Sequence, residues 1–470
     1  MEKIKIKEKI AYGFGDAASS MFWNIFGMYA LFFYTDVFGI TAAAAGTMFL
    51  VARLWDSFFD VLVGIAADRT KSKWGKYRPY LLWFAVPFAV MGVITFFTPS
   101  FATTGKIIYA YVTYSLMMIV YSLINVPYAS LLGAISADPK ERNSLSSYRM
   151  TFAFIGSFVT FMLLQPLINF FQKTFDPQHV AESATATVST SGIAWALGVG
   201  TIGILCVVLF FLCFSWTKER VVQIDNEENV SVKSDLAQLF RNNTWWILVA
   251  TGLAALLFNA MRDGVAIYYF RDYLQTSYIM SGTGWDMTTI YFLVGQAANI
   301  IGVIAAPMIS ARYGKRLTYM IAILLAGVFS VGFFFAPKSV ATVLVLQFFT
   351  SIFAGYVLPL LWSMFADIVD DQEIKTGRRA TGLIFSSSSM SQKLGWALGA
   401  ALSGWILAWF HYSPDAAVQS AETIFGEKLM ISLLPAACAV LAFVGMFFYP
   451  LSDKKVKENT EKLNELRTEK

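Results

Sequence analysis

The chain has 470 residues, of which 57% are hydrophobic and only 14% are charged. Soluble domains are typically ~45–50% apolar and ~25% charged, so this composition excludes an ordinary soluble globular fold, a disordered chain and a collagen-like chain. The net charge of +5 is distributed over short connecting segments, without the aromatic-interleaved basic patch that would indicate nucleic-acid binding.

Cysteine and histidine are too few for metal or nucleophilic chemistry. Cys206, Cys213 and Cys438 lie in apolar runs without the paired spacing of metal ligands, and His179 and His411 stand alone in polar segments. We therefore expect buried, free cysteines and no cofactor. No catalytic constellation or soluble domain is visible, and the tail 451–470 is too short for an output domain, which argues against an enzyme and a receptor.

The hydropathy pattern predicts an all-α membrane protein with twelve transmembrane helices. A membrane helix needs ~20 mostly apolar residues, and runs of that length recur along the chain. The predicted spans are 11–36, 41–67, 80–99, 105–135, 149–171, 192–216, 244–270, 284–311, 318–336, 339–366, 380–410 and 427–450. The basic N-terminus leads into the first span without a small-residue cleavage site, so we expect it to be retained.

The basic residues predict the orientation in the membrane. Most Lys and Arg lie in the N-terminus, the even-numbered connections and the C-terminal tail. Because basic residues near span ends stay on the cytoplasmic side, we expect an integral cytoplasmic (inner) membrane protein with both termini cytoplasmic.

The longest of these connections divides the spans six and six. It predicts an N-terminal half over 1–216, a cytoplasmic linker over 217–243, a C-terminal half over 244–450 and a cytoplasmic tail over 451–470. The segments after spans four and ten echo each other, each with Pro, then Ala-Asp, then Glu and Arg. Two related six-helix halves are typical of a secondary transporter whose site lies near the membrane midplane.

One motif is a false lead. Gly198-Val-Gly200-Thr-Ile-Gly203 matches the dinucleotide-binding fingerprint, but it lies within span six and has no strand before it. Small residues allow membrane helices to approach closely. We therefore interpret these glycines as a helix-packing surface.

Charged residues inside spans indicate a functional site, because each costs ~2.5–3.5 kcal/mol at the bilayer centre on insertion scales. Asp56 and Asp60 in span two are four residues apart and share a helix face. Two neighbouring carboxylates in a low dielectric either bind a cation or share a proton. The alternative is structural neutralisation by Arg53, Arg149 or Lys393.

Other spans carry complementary groups. Lys393 lies in a hydroxyl-rich part of span eleven, and we expect it to pair with the span-two carboxylates. Arg262 and Asp263 either pair with each other or face different directions, because adjacent helical residues point about 100° apart. Asn125 and Tyr128 supply an amide and a ring of the kind that sugar binding uses. The alternative for the ring is helix packing, because 16% of all residues are aromatic.

Several different short motifs are distributed along nearly the whole chain. They are Tyr12-Gly-Phe-Gly-Asp16, Tyr34-Thr-Asp36, Arg53-Leu-Trp-Asp56 with Asp60, the loop Asp68–Arg78 with Pro79, Asn125-Val-Pro127, Ala366-Asp367-Ile-Val-Asp370 and Lys393-Leu-Gly395. In combination they resemble the glycoside–pentoside–hexuronide:cation symporters, a family of the major facilitator superfamily.

The resemblance implies sugar uptake coupled to a proton or sodium by alternating access, within membrane lipid and without a cofactor. It implies a cation site, which could hold sodium, at Asp56, Asp60 and Ser122. It implies a sugar site at Ser19, Ser20, Asn125, Ala129, Arg149 and Lys393, and we add Tyr128 and Arg262 as candidates. Coupling or gating is assigned to Arg53, Asp68, Arg69, Arg78, Asp263, Asp367 and Asp370, with the loop Asp68–Arg78 latching the cytoplasmic face by ion pairing.

The chain also departs from the family's galactoside-binding pattern. Ser19-Ser20 replaces a Lys-Asp pair, Asn125 replaces an acid and Ala129 replaces a tryptophan, so we expect a neutral pentoside or glucoside, or a hexuronide. Phe59 replaces an asparagine ligand, which favours a proton, with sodium as the alternative. The alternative function is transport of a lysolipid or another amphiphile by the same fold, because lysolipid transporters resemble the same family.

Overall fold

The computed structural model describes residues 4–136, 138–177, 189–220, 239–276, 285–376, 381–414, 416 and 418–468. This part of the chain forms helices and no strand, which confirms the all-α prediction. The helices are α1 (Ile6–Asn24), α2 (Ala30–Phe32), α3 (Ala42–Arg69), α4 (Arg78–Thr95), α5 (Thr103–Ile135), α6 (Pro139–Phe175), α7 (Gly192–Trp216), α8 (Asn243–Tyr268), α9 (Met287–Tyr313), α10 (Lys315–Phe335), α11 (Val340–Gly355), α12 (Val357–Thr376), α13 (Thr381–Trp409), α14 (Ala421–Ile431), α15 (Leu433–Phe447) and α16 (Asp453–Thr468). Wider π-helical turns extend α1 and α2 to Val37, and α8 to Tyr273.

Nine helical stretches in the described part are long and apolar enough to cross a membrane. They are Arg78–Thr95, Thr103–Ile135, Ser144–Phe175, Gly192–Trp216, Asn243–Tyr273, Met287–Tyr313, Lys315–Phe335, Val340–Lys375 and Ala421–Phe447. Long helical segments also cover 6–37, 42–69 and 381–409, where spans one, two and eleven are predicted. These three carry charged or hydroxyl residues in their middle, so the count of twelve spans stays a prediction.

The chain divides into two compact units. The first contains Met1–Asn226, Ala266–Leu293 and Gly404–Thr423, and the second contains Glu227–Val265, Val294–Ser403 and Ile424–Lys470. Residues 221–238 of the predicted linker, and His179, lie outside the described residues. The predicted division into sequence halves, linker and tail stays a prediction.

In the first unit, α1 packs along α6 with both helices running in the same direction. Lys9 Nζ donates to Ser144 Oγ near the start of both helices, at 2.9 Å. Further along, a Cβ added to Gly156 would lie only 2.3 Å from the carbonyl oxygen of Ala17. Since real Cβ atoms do not approach that closely, glycine at 156 is what lets the two backbones touch.

The glycines of the false dinucleotide motif pack α7 against its neighbours, as the sequence predicts. A Cβ on Gly203 would lie 3.0 Å from Cβ of Ala89 on α4, and one on Gly198 would lie 2.9 Å from Ile168 on α6.

Cys206 and Cys213 are free and buried on the same helix, and Cys438 is free and half-buried. Burial confirms the first two cysteines as core residues.

The second unit has an apolar core built from several helices. Leu248 and Phe258 of α8, Tyr319 of α10, Leu361 of α12 and Met446 of α15 are all buried in one cluster. Outside this core, the helices expose large apolar side chains, with Met308 73% and Ile304 64% accessible. Apolar side chains facing outward from helices this apolar fit contact with lipid hydrocarbon.

Candidate functional site

A buried carboxylate on α3 forms the centre of the first site. Asp56 is 1% exposed and Ser122 of α5 is fully buried. Ser122 Oγ donates to Asp56 Oδ1 at 2.6 Å, and Arg53 Nη1 donates to Asp56 Oδ2 at 3.3 Å. Two of the three predicted cation-site residues therefore lie in direct contact, and Arg53 balances part of the charge of Asp56.

Arg53 connects this carboxylate to α1. Its guanidinium lies 4.6 Å from the centre of the Trp23 ring, an arrangement that favours a cation over the ring face. Trp23 also lies beside Tyr121 of α5, with ring centroids 6.1 Å apart. Asp60, one turn after Asp56 on α3, is half-buried.

A second ion pair lies between α1 and α6. Arg149 Nε donates to Asp16 Oδ2 at 3.1 Å, and Nη2 donates to Asp16 Oδ1 at 3.4 Å. The guanidinium lies 5.2 Å from the ring centre of Tyr128, which is fully buried and stacks on Tyr12 with centroids 4.9 Å apart. Tyr128, predicted as a sugar contact, thus supports Arg149 from inside the unit.

The remaining predicted sugar residues of the first unit lie on α1 and α5. Ser19 is buried and its hydroxyl donates to the carbonyl of Gly15 at 2.9 Å, while Ser20 is half-buried. Asn125 is half-buried, and its Nδ2 donates to the carbonyl of Tyr121 at 3.0 Å. Ala129 is exposed and offers only a methyl group.

The second unit carries the other predicted cations. Lys393 is half-buried on α13. Arg262 of α8 is 3% exposed, its Nη2 donates to Gln347 Oε1 at 2.6 Å, and Phe333 lies 5.0 Å from its guanidinium. Asp263 is half-buried. Arg262 therefore has a buried hydrogen-bond partner on α11, whereas its assignment to substrate or to Asp263 stays a prediction.

The loop between α3 and α4 is held by hydrogen bonds. Asp68 and Arg69 are exposed, and Tyr77 Oη donates to Asp68 Oδ1 at 2.8 Å. Arg78 Nη2 donates to the carbonyl of Phe214 at 2.6 Å. The carboxylate of Glu219 accepts the backbone N–H groups of residues 76, 77 and 78, each at 2.8 Å. The predicted ion-pair latch of this loop is not tested by these contacts and stays a prediction.

The acidic motif on α12 has its own partner in the second unit. Lys315 Nζ lies 2.7 Å from both carboxylate oxygens of Asp367. Asp370, one turn further along α12, is half-buried. A gating role for these two carboxylates stays a prediction.

Asp36, in the motif at the end of predicted span one, lies in a cluster whose partners the sequence analysis missed. Its carboxylate pairs with the guanidinium of Arg271 and accepts a hydrogen bond from Tyr412 Oη. Beside it, Thr35 Oγ1 and Tyr268 Oη are 2.8 Å apart. These residues are far apart in sequence, so no spacing pattern could have brought them together.

Asp16 is the other residue that the prediction omitted from the site. The available signal was an acidic residue within the apolar first span, which needs a partner for the reason that identified Asp56.

Among the described residues, no group of three or more His, Cys, Asp or Glu side chains could hold a metal ion. A sodium site at Asp56 and Asp60 would therefore depend on hydroxyl, carbonyl or water oxygens besides those two acids.

Known proteins match this chain over almost its whole length. A family model described as MFS/sugar transport protein matches residues 11–453. The putative glycoside/cation symporter YagG of Escherichia coli (strain K12) is 34% identical over 464 residues, covering 98% of this chain and 96% of that protein. The isoprimeverose transporter of Lactiplantibacillus pentosus is 34% identical, and the match covers 94% of this chain and 88% of that protein. A glucuronide carrier protein homolog of Escherichia coli (strain K12) is 34% identical, and the match covers 96% of this chain and 93% of that protein.

Proposed function

The chain belongs to the glycoside–pentoside–hexuronide:cation symporters of the major facilitator superfamily, and we propose that it couples the uptake of a glycoside, pentoside or hexuronide to a cation. It is a multi-pass membrane transporter and not an enzyme. The observation that carries the proposal is the buried Asp56 carboxylate of α3, the predicted second span, which contacts Ser122 and Arg53.

Two neighbouring carboxylates favour coupling to a cation. In a low-dielectric environment the ionised side chains of Asp56 and Asp60 repel each other, and a bound proton or sodium ion lowers that cost. Phe59 supplies no oxygen ligand beside Asp60, so the proposal favours the proton as the coupling ion.

The helix α5 provides a direct route for coupling between cation and sugar. Ser122 at the cation site and Asn125 at the sugar site are three residues apart, so they lie on the same helix face one turn apart. A shift of α5 on cation binding therefore moves both residues together. Coupling free energies between two sites are typically ~1–3 kcal/mol and act in both directions.

A second connection runs through Trp23. This ring lies under Arg53, and on α1 it follows the sugar-site residues Ser19 and Ser20 by about one helical turn. When the coupling ion neutralises Asp56, Arg53 loses its counter-charge and can change position, which alters the support of the Trp23 ring. The ion thereby changes the sugar-binding face of α1.

The basic residues indicate how the protein lies in the membrane. We place the protein in the cytoplasmic membrane, surrounded by lipid, with both termini cytoplasmic, because Lys and Arg concentrate in the corresponding connections. The chain works by alternating access, and Lys393 of α13 is a further proposed sugar-binding residue. The loop Asp68–Arg78 latches the cytoplasmic face by ion pairing.

The test is uptake by membrane vesicles that contain the full chain. The panel contains methyl β-D-xyloside, methyl β-D-glucoside, methyl β-D-glucuronide, melibiose and a lysophospholipid, each with and without a sodium or pH gradient. The proposal expects gradient-driven accumulation of at least one sugar and none in vesicles that lack the protein. Movement of the lysophospholipid alone would favour the alternative function, and accumulation of no compound would overturn the proposal.

A further inference from the structure

The ion pair between Asp16 and Arg149 determines the charge next to the predicted sugar residues. Both carboxylate oxygens of Asp16 accept from one guanidinium, through Nε and Nη2. Asp16 precedes Ser19 and Ser20 by three and four residues, so the three side chains share one face of α1. Asp16 therefore lies one turn before two of the predicted sugar residues.

The packing around this pair holds it in place. The close contact of Gly156 with the backbone of Ala17 fixes α6 against α1 directly beside Asp16. The ring of Tyr128 supports the guanidinium, and Tyr128 Oη donates to the carbonyl of Tyr12 at 2.6 Å. Because Tyr12 and Tyr128 are both fully buried, their rings cannot move away without opening the helix packing.

The pair is nevertheless accessible. The side chain of Arg149 is 31% exposed and that of Asp16 is 12% exposed. A guanidinium has five N–H donors and a carboxylate can accept about four hydrogen bonds, so the mutual contacts leave donors and acceptors for a ligand. Sugar hydroxyls both donate and accept, which suits them to contact the two members of the pair together.

A carboxylate ligand meets a different situation. Asp16 already balances the charge of Arg149, so the pair has no net positive charge with which to attract an anion. A uronate would have to compete with Asp16 for the same guanidinium, and the two carboxylates would repel each other at short distance. The pair therefore favours uncharged sugars.

We infer that Asp16 is a sugar-binding residue, and that the Asp16–Arg149 pair makes this transporter select neutral glycosides over hexuronides. This inference rests on the proposed function and narrows its substrate class. Neutralising Asp16 leaves Arg149 with an unbalanced charge, which should weaken neutral-sugar binding and improve binding of the uronide.

The experiment compares two probes that differ only at C6, methyl β-D-glucoside and methyl β-D-glucuronide. Equilibrium binding of each to the purified full chain is measured at one pH for the wild type, Asp16→Asn, Asp16→Glu and Glu458→Gln. We expect the wild type to bind the glucoside at least tenfold more tightly than the glucuronide. Asp16→Asn should shift that ratio at least tenfold toward the glucuronide, whereas Asp16→Glu should keep the neutral preference.

Glu458→Gln is the matched control, because it removes one negative charge from an exposed position on α16 and should leave the ratio unchanged. The wild-type ratio tests the inference even where a variant is poorly folded. Tighter glucuronide binding by the wild type, or an unchanged ratio in folded Asp16→Asn, overturns the inference while sugar binding itself stands. Binding of neither probe, together with no uptake in the vesicle panel, overturns the proposed function as well.

Discussion

Ser122 of α5 donates its hydroxyl hydrogen bond to Asp56 of α3 over 2.6 Å, and both side chains are buried. A hydrogen bond to a charged group contributes about 1.5–3 kcal/mol, more than a bond between neutral groups. The contact joins the two helices that carry the proposed cation site. Its energy therefore bears on the protonation or ion occupancy of Asp56 as well as on helix packing.

Ser122→Ala should shift the ion concentration that gives half-maximal uptake. Loss of the hydroxyl removes a hydrogen bond to the Asp56 carboxylate, and a change of about 1.5–3 kcal/mol corresponds to roughly 10-fold or more in apparent ion affinity. The measurement is initial uptake against ion concentration. Ser130→Ala is the control, because that hydroxyl donates to the carbonyl of Val126 at 3.2 Å on the same helix. An identical ion dependence in wild type and Ser122→Ala contradicts the assignment of Ser122.

Asp56→Asn and Asp60→Asn should each abolish concentrative uptake while the protein remains in the membrane. Each substitution removes a charge that the coupling ion must neutralise, so the ion gradient can no longer drive the sugar. Accumulation of sugar in vesicles is measured together with the amount of protein by immunoblot. Exchange of labelled sugar across the membrane can survive in one of the two variants. Full gradient-driven accumulation by both variants would show that neither acid couples the ion.

The helix boundaries illustrate what apolar runs can predict. Span six was predicted at 192–216, and α7 covers Gly192–Trp216. Span five was predicted at 149–171, but α6 begins ten residues earlier at Pro139. The extra turns contain the polar segment 139–148, and a helix that continues beyond the apolar run leaves no signal in hydropathy. Polar helix ends are therefore the part of the fold that this pattern misses.

The site shows a similar limit. The spacing of Asp56 and Asp60 predicts a shared face because it is a property of one helix. The resemblance to the family placed Ser122 beside Asp56, and the structure has that contact. The pairing of Asp16 with Arg149 depends on which turns of α1 and α6 face each other, and a close contact at Gly156 decides that. No periodicity within either helix contains this information.

Arg149→Lys should lose sugar binding severely, by at least about tenfold, because an ammonium cannot copy the forked donors of a guanidinium. Equilibrium binding of the transported sugar to purified protein is the measurement. Arg312→Lys makes the same replacement at an exposed position on α9 and should bind normally. Melibiose should bind poorly to the wild type. Unchanged affinity in Arg149→Lys, or tight melibiose binding, would contradict this part of the account.

Glu219→Gln should lower the stability of the folded protein. The carboxylate accepts three backbone N–H groups at the start of α4, where negative charge is also favoured by the helix dipole. Losing the charge-assisted bonds should cost about 1–3 kcal/mol, seen as a lower thermal unfolding midpoint in detergent. Glu458→Gln serves as the exposed control. Equal midpoints for both variants would show that Glu219 does not stabilise the loop.

Cation-driven sugar uptake is the central claim, and reconstitution of the purified chain in liposomes tests it most directly. Accumulation of the sugar identified by the panel is measured under an imposed pH gradient, acidic outside, and separately under an inward sodium gradient at equal pH. We expect the pH gradient to drive accumulation above equilibrium and a protonophore to abolish it. Accumulation that follows sodium and ignores the protonophore contradicts the proton as coupling ion, and equilibration without accumulation under either gradient contradicts symport itself.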